Sequence, residues 1–312
     1  MGITMKDQSI LQFFMLLTSL WVSTLLVGCN SSNESAKAQA PGTANIYKKQ
    51  KIKAYGRFVP QRNDDFAWEN DKVAFRVYGP AAPIKGHGSG VDAWFKKVNY
   101  SIIDKWYENH LNGLSYHVDR GEGYDPYHTG TSRGVGSTAV WIQGQAYFAH
   151  SFKTYNIEVN NSNKVVFTLE YEWQTPLGLV HESKTVSLLI GSQLFSVNSV
   201  FSLDGVPTSL PIALGVTTHD EKATVSFNYE TGRIAAWEMI DGIGVGTGAL
   251  ISPSKIKGIK HVPSTEKDKS HIWIFTHSEE DGSLHYSAGF AWAGAKEITS
   301  FDQWNKYLDN YK

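Results

Sequence analysis

Residues 165–173 put Val165, Phe167, Leu169, Tyr171 and Trp173 on one side of an extended chain, with Val166, Thr168, Glu170 and Glu172 on the other. An apolar repeat of two residues cannot line one face of a helix; it marks a strand buried on one side. The pattern returns in Val73, Phe75 and Val77, in Phe195, Val197, Ser199, Phe201 and Leu203, in Val225, Phe227 and Tyr229, and in Leu284, Tyr286, Ala288, Phe290 and Trp292. Asn160-Asn161, Asp204-Gly205, Asp241-Gly242 and Asp281-Gly282 supply turn chemistry between such runs. Many antiparallel strands at this spacing predict a sandwich or a barrel. The glycines at 242, 244, 246 and 248 lack dinucleotide-loop spacing and a following helical pattern, so they predict a strand with glycine kinks.

Two segments depart from the period of two. Ile102, Ile103, Trp106, Tyr107 and His110 recur at helical spacing. Ser300 and Gln303 form a capping-box pattern, and Phe301, Trp304, Leu308 and Tyr311 then make one apolar face. The second segment predicts a helix that closes the chain against the sheets.

The 312 residues are 41% hydrophobic and 19% charged with a net charge of -1. That composition is globular, and it offers no electrostatic case for nucleic acid as a partner. The chain has one cysteine, which excludes an intramolecular disulfide and a multi-cysteine zinc site. Cys29 follows a mostly apolar run, Ile10 to Gly28, that ends in Leu26-Val27-Gly28. This arrangement resembles an export signal with a bacterial lipobox, in which the cysteine is lipidated and becomes the mature N-terminus. The expected organisation is a signal over residues 1–28, a flexible tether over 29–50 rich in Ser, Ala, Asn and Lys, and one folded domain over 51–312. The expected location is the bacterial cell envelope, on the outer membrane or facing the periplasm, with the membrane as a partner through the lipid.

Chemistry concentrates between Ser115 and Trp141. This stretch holds His117 and His128, Arg120 and Arg133, Asp119, Glu122 and Asp125, and Tyr116, Tyr124 and Tyr127, with five glycines among them. It is too polar for a core strand and too aromatic for a solvated linker, and predicts a functional loop on a rigid scaffold. Histidine changes charge near neutral pH, so His117 and His128 are the leading acid/base candidates. His219 joins them because it follows the strand-like segment Pro211 to Val216 and precedes a turn. Arg120 and Arg133 carry planar forks suited to a carboxylate or sulfate. The three acids are alternative ligands for a hard divalent cation such as calcium, although their spacing matches no calcium loop.

At these residues the chain resembles the DUF4861 family. The resemblance covers nearly the whole mature region. It is best from Tyr116 to Trp141, in Pro211 to Val216, and from Tyr286 to Trp304. Tyr116, His117, Asp119, Gly121, Glu122, Gly123, Asp125 and Tyr127 match the family's pattern, and Arg120 stands where the pattern has histidine. The resemblance implies a large antiparallel β-sandwich of the supersandwich type of sugar enzymes, with a few peripheral helices including a C-terminal one. It also implies an oligosaccharide dehydratase of ulvan degradation, which removes water from a non-reducing-end uronic acid and leaves a 4,5-unsaturated uronate. No cofactor is expected.

Such an elimination takes a proton from C5, beside the carboxylate, and expels the 4-hydroxyl. The carboxylate needs nearby positive charge, because the developing dianion is unstable. Arg133 is the first candidate for that charge and Arg120 the second. His128 and His219 are candidates for one proton-transfer role, and His117 and Tyr127 for the other. Glu122, Tyr124 and Asp125 are expected to orient a histidine or to bind hydroxyls. A polysaccharide lyase uses the same elimination with a glycosidic oxygen as leaving group. A non-catalytic carbohydrate-binding lipoprotein is the third reading; it needs the aromatics but no acid/base pair.

Overall fold

The computed structural model describes residues 52–312; the signal, the tether and Cys29 lie outside the described residues. Strands β1 (Tyr55–Val59), β2 (Asp65–Glu69), β3 (Ala74–Val77) and β4 (Asp92–Lys96) form an antiparallel sheet. Helix α1 (Ile103–Leu111) follows, and β5 (Gly123–Tyr124) adds to β4. β6 (Ser137–Ile142) and β7 (Gln145–Tyr147) open a second sheet. β8 (Thr154–Asn160), β9 (Lys164–Thr175), β10 (Gly178–Leu189), β11 (Leu194–Leu203) and the short β12 (Val206–Pro207) open a third. β13 (Pro211–Thr217) returns to the second sheet beside β6. β14 (Thr224–Asn228), β15 (Arg233–Ile240) and β16 (Ile243–Ile251) go back to the third. β17 (Gly258–Val262) and β18 (His271–His277) complete the second sheet, in the order β17-β18-β13-β6-β7. β19 (Ser283–Trp292) completes the third, in the order β14-β15-β16-β19-β11-β10-β9-β8 with β12 on β11. Helix α2 (Phe301–Asp309) ends the fold.

Both five-stranded sheets face the nine-stranded one. Trp68 meets Phe167 at 5.1 Å, Phe75 meets Phe195 at 5.0 Å and Phe95 meets Phe290 at 5.5 Å between ring centroids. Ile212, Leu214, Ile272 and Ile274 of the second small sheet share the same core with Ile234, Val245 and Ala249 of the large one. The protein is mainly β and antiparallel, with sheets packed face to face and a C-terminal helix. One parallel bridge, Val91 to Gly134, joins the two small sheets.

The period of two fixes the facing on the inner strands: Val165, Phe167, Leu169 and Tyr171 are all buried. It misleads on β14, where Phe227 is 53% exposed and Tyr229, just beyond it, 50%. β14 is the edge of its sheet, and on an edge an apolar parity need not meet a partner layer. The glycine run becomes the inner strand β16. A Cβ at Gly246 would come within 2.6 Å of the Trp304 ring, and one at Gly248 within 2.7 Å of Leu308. These glycines form the groove that admits the apolar face of α2. Ser300 caps that helix by accepting from the Gln303 N–H at 3.3 Å. The Gln303 side chain accepts from the Thr299 N–H, one residue earlier than a capping box places it.

α1 takes its cap from outside the helix. Buried Glu69, at the end of β2, accepts from the N–H groups of Ile102 and Ile103, and Lys96 Nζ donates to the same carboxylate at 2.8 Å. Lys96 also donates to the carbonyls of Asn70 and Tyr100, so all three of its protons are used. Removing one member of a buried, fully bonded pair strands the other. Lys96→Ala is expected to lower stability by roughly 3–5 kcal/mol in urea unfolding. Glu69→Ala, which also uncaps α1, is expected to cost at least as much.

Candidate functional site

The segment after α1 is pinned by Arg76, a buried guanidinium on β3. Arg76 pairs with Asp92 of β4, reaches Asp125 Oδ2 at 3.4 Å, and donates to the Tyr116 hydroxyl at 3.2 Å. Asp65 Oδ2 stands 3.9 Å away. Arg62 also donates to the Tyr116 hydroxyl, at 3.0 Å. Burial, and then the neighbouring Asp92 charge, push the Asp125 carboxyl well above the usual range despite Arg76. Burial likewise raises Asp65 to about 6. Asp92 Oδ1 accepts from the Thr129 hydroxyl at 2.9 Å, which carries the anchorage forward to the residue beside His128.

His117 is half-exposed, and its Nδ1 donates to the Asp125 carbonyl at 2.6 Å. His128 is also half-exposed, and its Nε2 lies 2.8 Å from Asp268 Oδ1. The second oxygen of Asp268 accepts from the Thr131 N–H at 2.9 Å and hydroxyl at 3.2 Å. Burial alone would raise Asp268, but the His128 and Thr131 donors outweigh it and hold it down at about 2. A Cβ at Gly130, where φ is +51°, would meet that carboxylate at 2.2 Å, so glycine is what lets the carboxylate approach. The result is a histidine with one nitrogen held by a carboxylate and Nδ1 without a partner among the described residues.

His219 follows the end of β13. Its Nδ1 meets Glu238 Oε1 at 2.6 Å and its Nε2 meets the His128 carbonyl at 2.6 Å. Both partners are acceptors, so both ring nitrogens carry protons and the ring is an imidazolium. Burial disfavours that charge, yet the Glu238 carboxylate and the carbonyl overcome it and raise the pKa. His219, Asp220 and Glu221 have φ of 37°, 59° and 68°, three consecutive non-glycine residues in the left-handed region. Such backbone is held only where its surroundings over-determine it. The Tyr127 ring packs edge-on against His219 at 4.8 Å, and its buried hydroxyl has no hydrogen-bond partner among the described residues.

The structure therefore brings His128, His219 and Tyr127 together, with His117 and Asp125 on the adjoining, Arg76-anchored part of the segment. It sends the other residues elsewhere. Arg133 is fully buried; its guanidinium lies 3.5 Å over the Phe148 ring and donates to the Ser89 hydroxyl and the Thr138 carbonyl. Arg120 donates to the backbone carbonyls of Ser115 and Val118 in its own loop. Glu122 is bound by Tyr100, Lys105 and Trp106, facing α1. Tyr124 donates to Asp241 in the β15–β16 turn at 2.9 Å. The stretch is also less of a loop than its polarity predicts. Residues 137–142 are β6, with Ser137 and Thr138 buried and hydrogen-bonded inside.

Asp268 and Glu238 escape a reading of the sequence. Glu238 gave a signal: it follows Ile234 and Ala236 on the buried parity of β15, where an acid needs a partner. Asp268, 140 residues from His128 in an otherwise exposed charged loop, gave none. Among the described residues no group of three or more His, Cys, Asp or Glu is gathered as a metal site.

A mainly β fold of packed antiparallel sheets, with a histidine-rich segment pinned across it, defines the class. The chain belongs to the family of the domain of unknown function DUF4861, whose model matches residues 26–312. It is similar to the uncharacterized protein P7 of Formosa agariphila, with 35% identity over 272 residues that cover 83% of this chain and 67% of the relative.

Two histidines, the buried His271 and the largely enclosed His219, oppose each other in pH. His271 donates from Nδ1 to the Lys269 carbonyl and accepts the Arg133 N–H at Nε2, so it is neutral, and burial lowers it to about 4. The unfolded chain therefore binds more protons at His271 between pH 6.5 and 4, and stability falls as pH falls through that window. His219, raised in the fold, contributes stability that is fully present below 6.5 and is lost as pH rises through its folded pKa. Urea midpoints are expected to decline as pH rises above 6.5, and Glu238→Gln is expected to reduce that decline. A Glu238→Gln profile that keeps this decline would show that His219 is not its source.

Proposed function

We propose that this protein is a carbohydrate hydro-lyase that removes water from the non-reducing-end uronic acid of ulvan-type oligosaccharides and leaves a 4,5-unsaturated uronate. The observation that supports the reading best is the His128–Asp268 pair lying beside the His219 imidazolium. With Nε2 donating to Asp268, the Nδ1 lone pair of His128 is the base for the C5 proton. Asp268 then stabilises the charge that His128 gains. The C5–H electrons form the C4–C5 double bond and the 4-hydroxyl leaves as water. His219 cannot be the base, because both of its nitrogens are protonated; it is the fixed positive charge that offsets the developing dianion. Arg133, enclosed in the interior, is not assigned that role. The half-exposed His117 is assigned as proton donor to the leaving hydroxyl; Tyr127, whose hydroxyl is buried, is not.

The half-exposure of His117 and His128 favours one second reading, a lyase that works in an open cleft and expels a glycosidic oxygen in place of water. Incubating the protein with oligosaccharides ending in glucuronate or iduronate separates the two. Loss of one water with chain length intact, together with a new enol-ether chromophore, is the expected result. Shorter chains bearing that chromophore would assign the lyase. Saturable binding without any product would leave a carbohydrate-binding protein.

His128→Ala and Asp268→Asn are each expected to lower kcat by about 10²–10⁴-fold while the circular dichroism spectrum is kept. Full activity in both folded variants would overturn the assignment. The lipobox supports a lipid anchor in the cell envelope, so Cys29→Ala is expected to move the protein out of the membrane fraction.

A further inference from the structure

The inner face of the nine-stranded sheet carries charge that the proposed reaction does not use. On β10 the inward parity runs Val180, Glu182, Lys184, Val186, Leu188. Glu182 and Lys184 occupy core positions and are 3% and 5% exposed. Tyr171 of β9 stands opposite Glu182, and the Lys184 ammonium lies 4.9 Å from its ring. Tyr286 of β19 and the Arg133 guanidinium share the same interior, and both are fully or almost fully buried. This part of the interior therefore encloses two cationic side chains and one carboxylate.

Glu182 is already well satisfied. Its Oε1 accepts from the Ser199 hydroxyl at 2.6 Å and the Thr138 hydroxyl at 3.1 Å, and its Oε2 faces Lys184 Nζ at 3.4 Å. Arg133 is not. One terminal nitrogen donates to Ser89 and Thr138, but Nε and the other terminal nitrogen are buried without a hydrogen-bond partner. No carboxylate among the described residues lies within ion-pair distance of Arg133. Phe148 stacks on the face of the guanidinium and offsets part of its charge, but the N–H groups lie in the guanidinium plane and a stacked ring accepts none of them. A buried, half-bonded guanidinium beside a buried ammonium is costly unless an anion completes it.

We propose that this buried region binds a small monovalent anion, a halide or a carboxylate group, on the free edge of Arg133 with Lys184 as the second cation. Burial pulls down both cations, Arg133 to about 9, and an enclosed anion counters that shift. The Phe148 ring and the backbone at Gly88, whose Cβ would stand 3.3 Å from the guanidinium, cover one side of Arg133. The neighbouring residues 83–86 are exposed. Arg133 also donates its backbone N–H to His271, so a bound anion steadies the same segment that carries His128.

The test is titration of the full-length chain with sodium chloride, followed by 35Cl line width, in a His128→Ala background so that the outcome does not depend on turnover. Saturable broadening is expected, reversed by bromide. Reversal by acetate as well would assign the site to small carboxylates, and reversal by bromide alone would assign it to free halide. Lys184→Met, or Lys184→Gln if the first does not fold, is expected to weaken binding by at least about tenfold. Absence of saturable broadening, or equal affinity in a folded Lys184 variant, would overturn the proposal.

Discussion

The candidate site depends on one guanidinium. Arg76 projects from the first small sheet and meets Asp92, Asp125 and the Tyr116 hydroxyl at once. It thereby staples the long segment after α1 to a rigid strand at two separate points. Through Asp92 and Thr129 the same anchorage reaches the residue next to His128. Three carboxylates around one fully buried cation cannot all be ionised at low cost, and Asp125, raised well above its usual range, is the one that gives way. The backbone carbonyl of the same residue orients His117.

A second consequence is a division of labour among the histidines. His271 is neutral and buried, His219 is charged and largely enclosed, and His128 and His117 each keep one pinned nitrogen and one near solvent that is free among the described residues. Three different partner sets produce these three states: a carbonyl with an N–H, a carboxylate with a carbonyl, and a single acceptor. The chemistry open to each ring follows from its partners rather than from its exposure alone.

Much of the fold was legible because the period of two and the period of 3.6 are local properties. The strands on either side of Asn161 and of Asp204-Gly205, the glycine-rich β16, and both helices stand where those patterns put them. The patterns fell short where facing depends on what lies opposite, as at Phe227 on an edge. They also fell short in the polar segment, whose end enters the sheet as β6 because its hydroxyls find partners inside. His128, His219 and Tyr127 were legible as chemistry, and the structure gathers them. Their partners Asp268 and Glu238 lie 140 and 19 residues away along the chain from the histidines they hold, and only the tertiary fold pairs them. The same limit explains Arg133: a long cationic side chain in a polar stretch gives no hint of which way it turns.

The order of strands in the large sheet has a bearing on how the chain reaches this state. β19, residues 283–292, lies between β16 and β11. Until it is made, the sheet exists as two separate blocks, β8 to β12 and β14 to β16, each with an open inner edge. Those edges belong to inner strands of the finished sheet, and unpaired edges of that kind invite pairing with other chains. A single late hairpin-less strand therefore closes both blocks at once and brings its own Phe290 against Phe75 and Phe95 of the first sheet. Native closure is thus a long-range event, of the sort that folds slowly and benefits from being kept apart from other copies until β19 is in place.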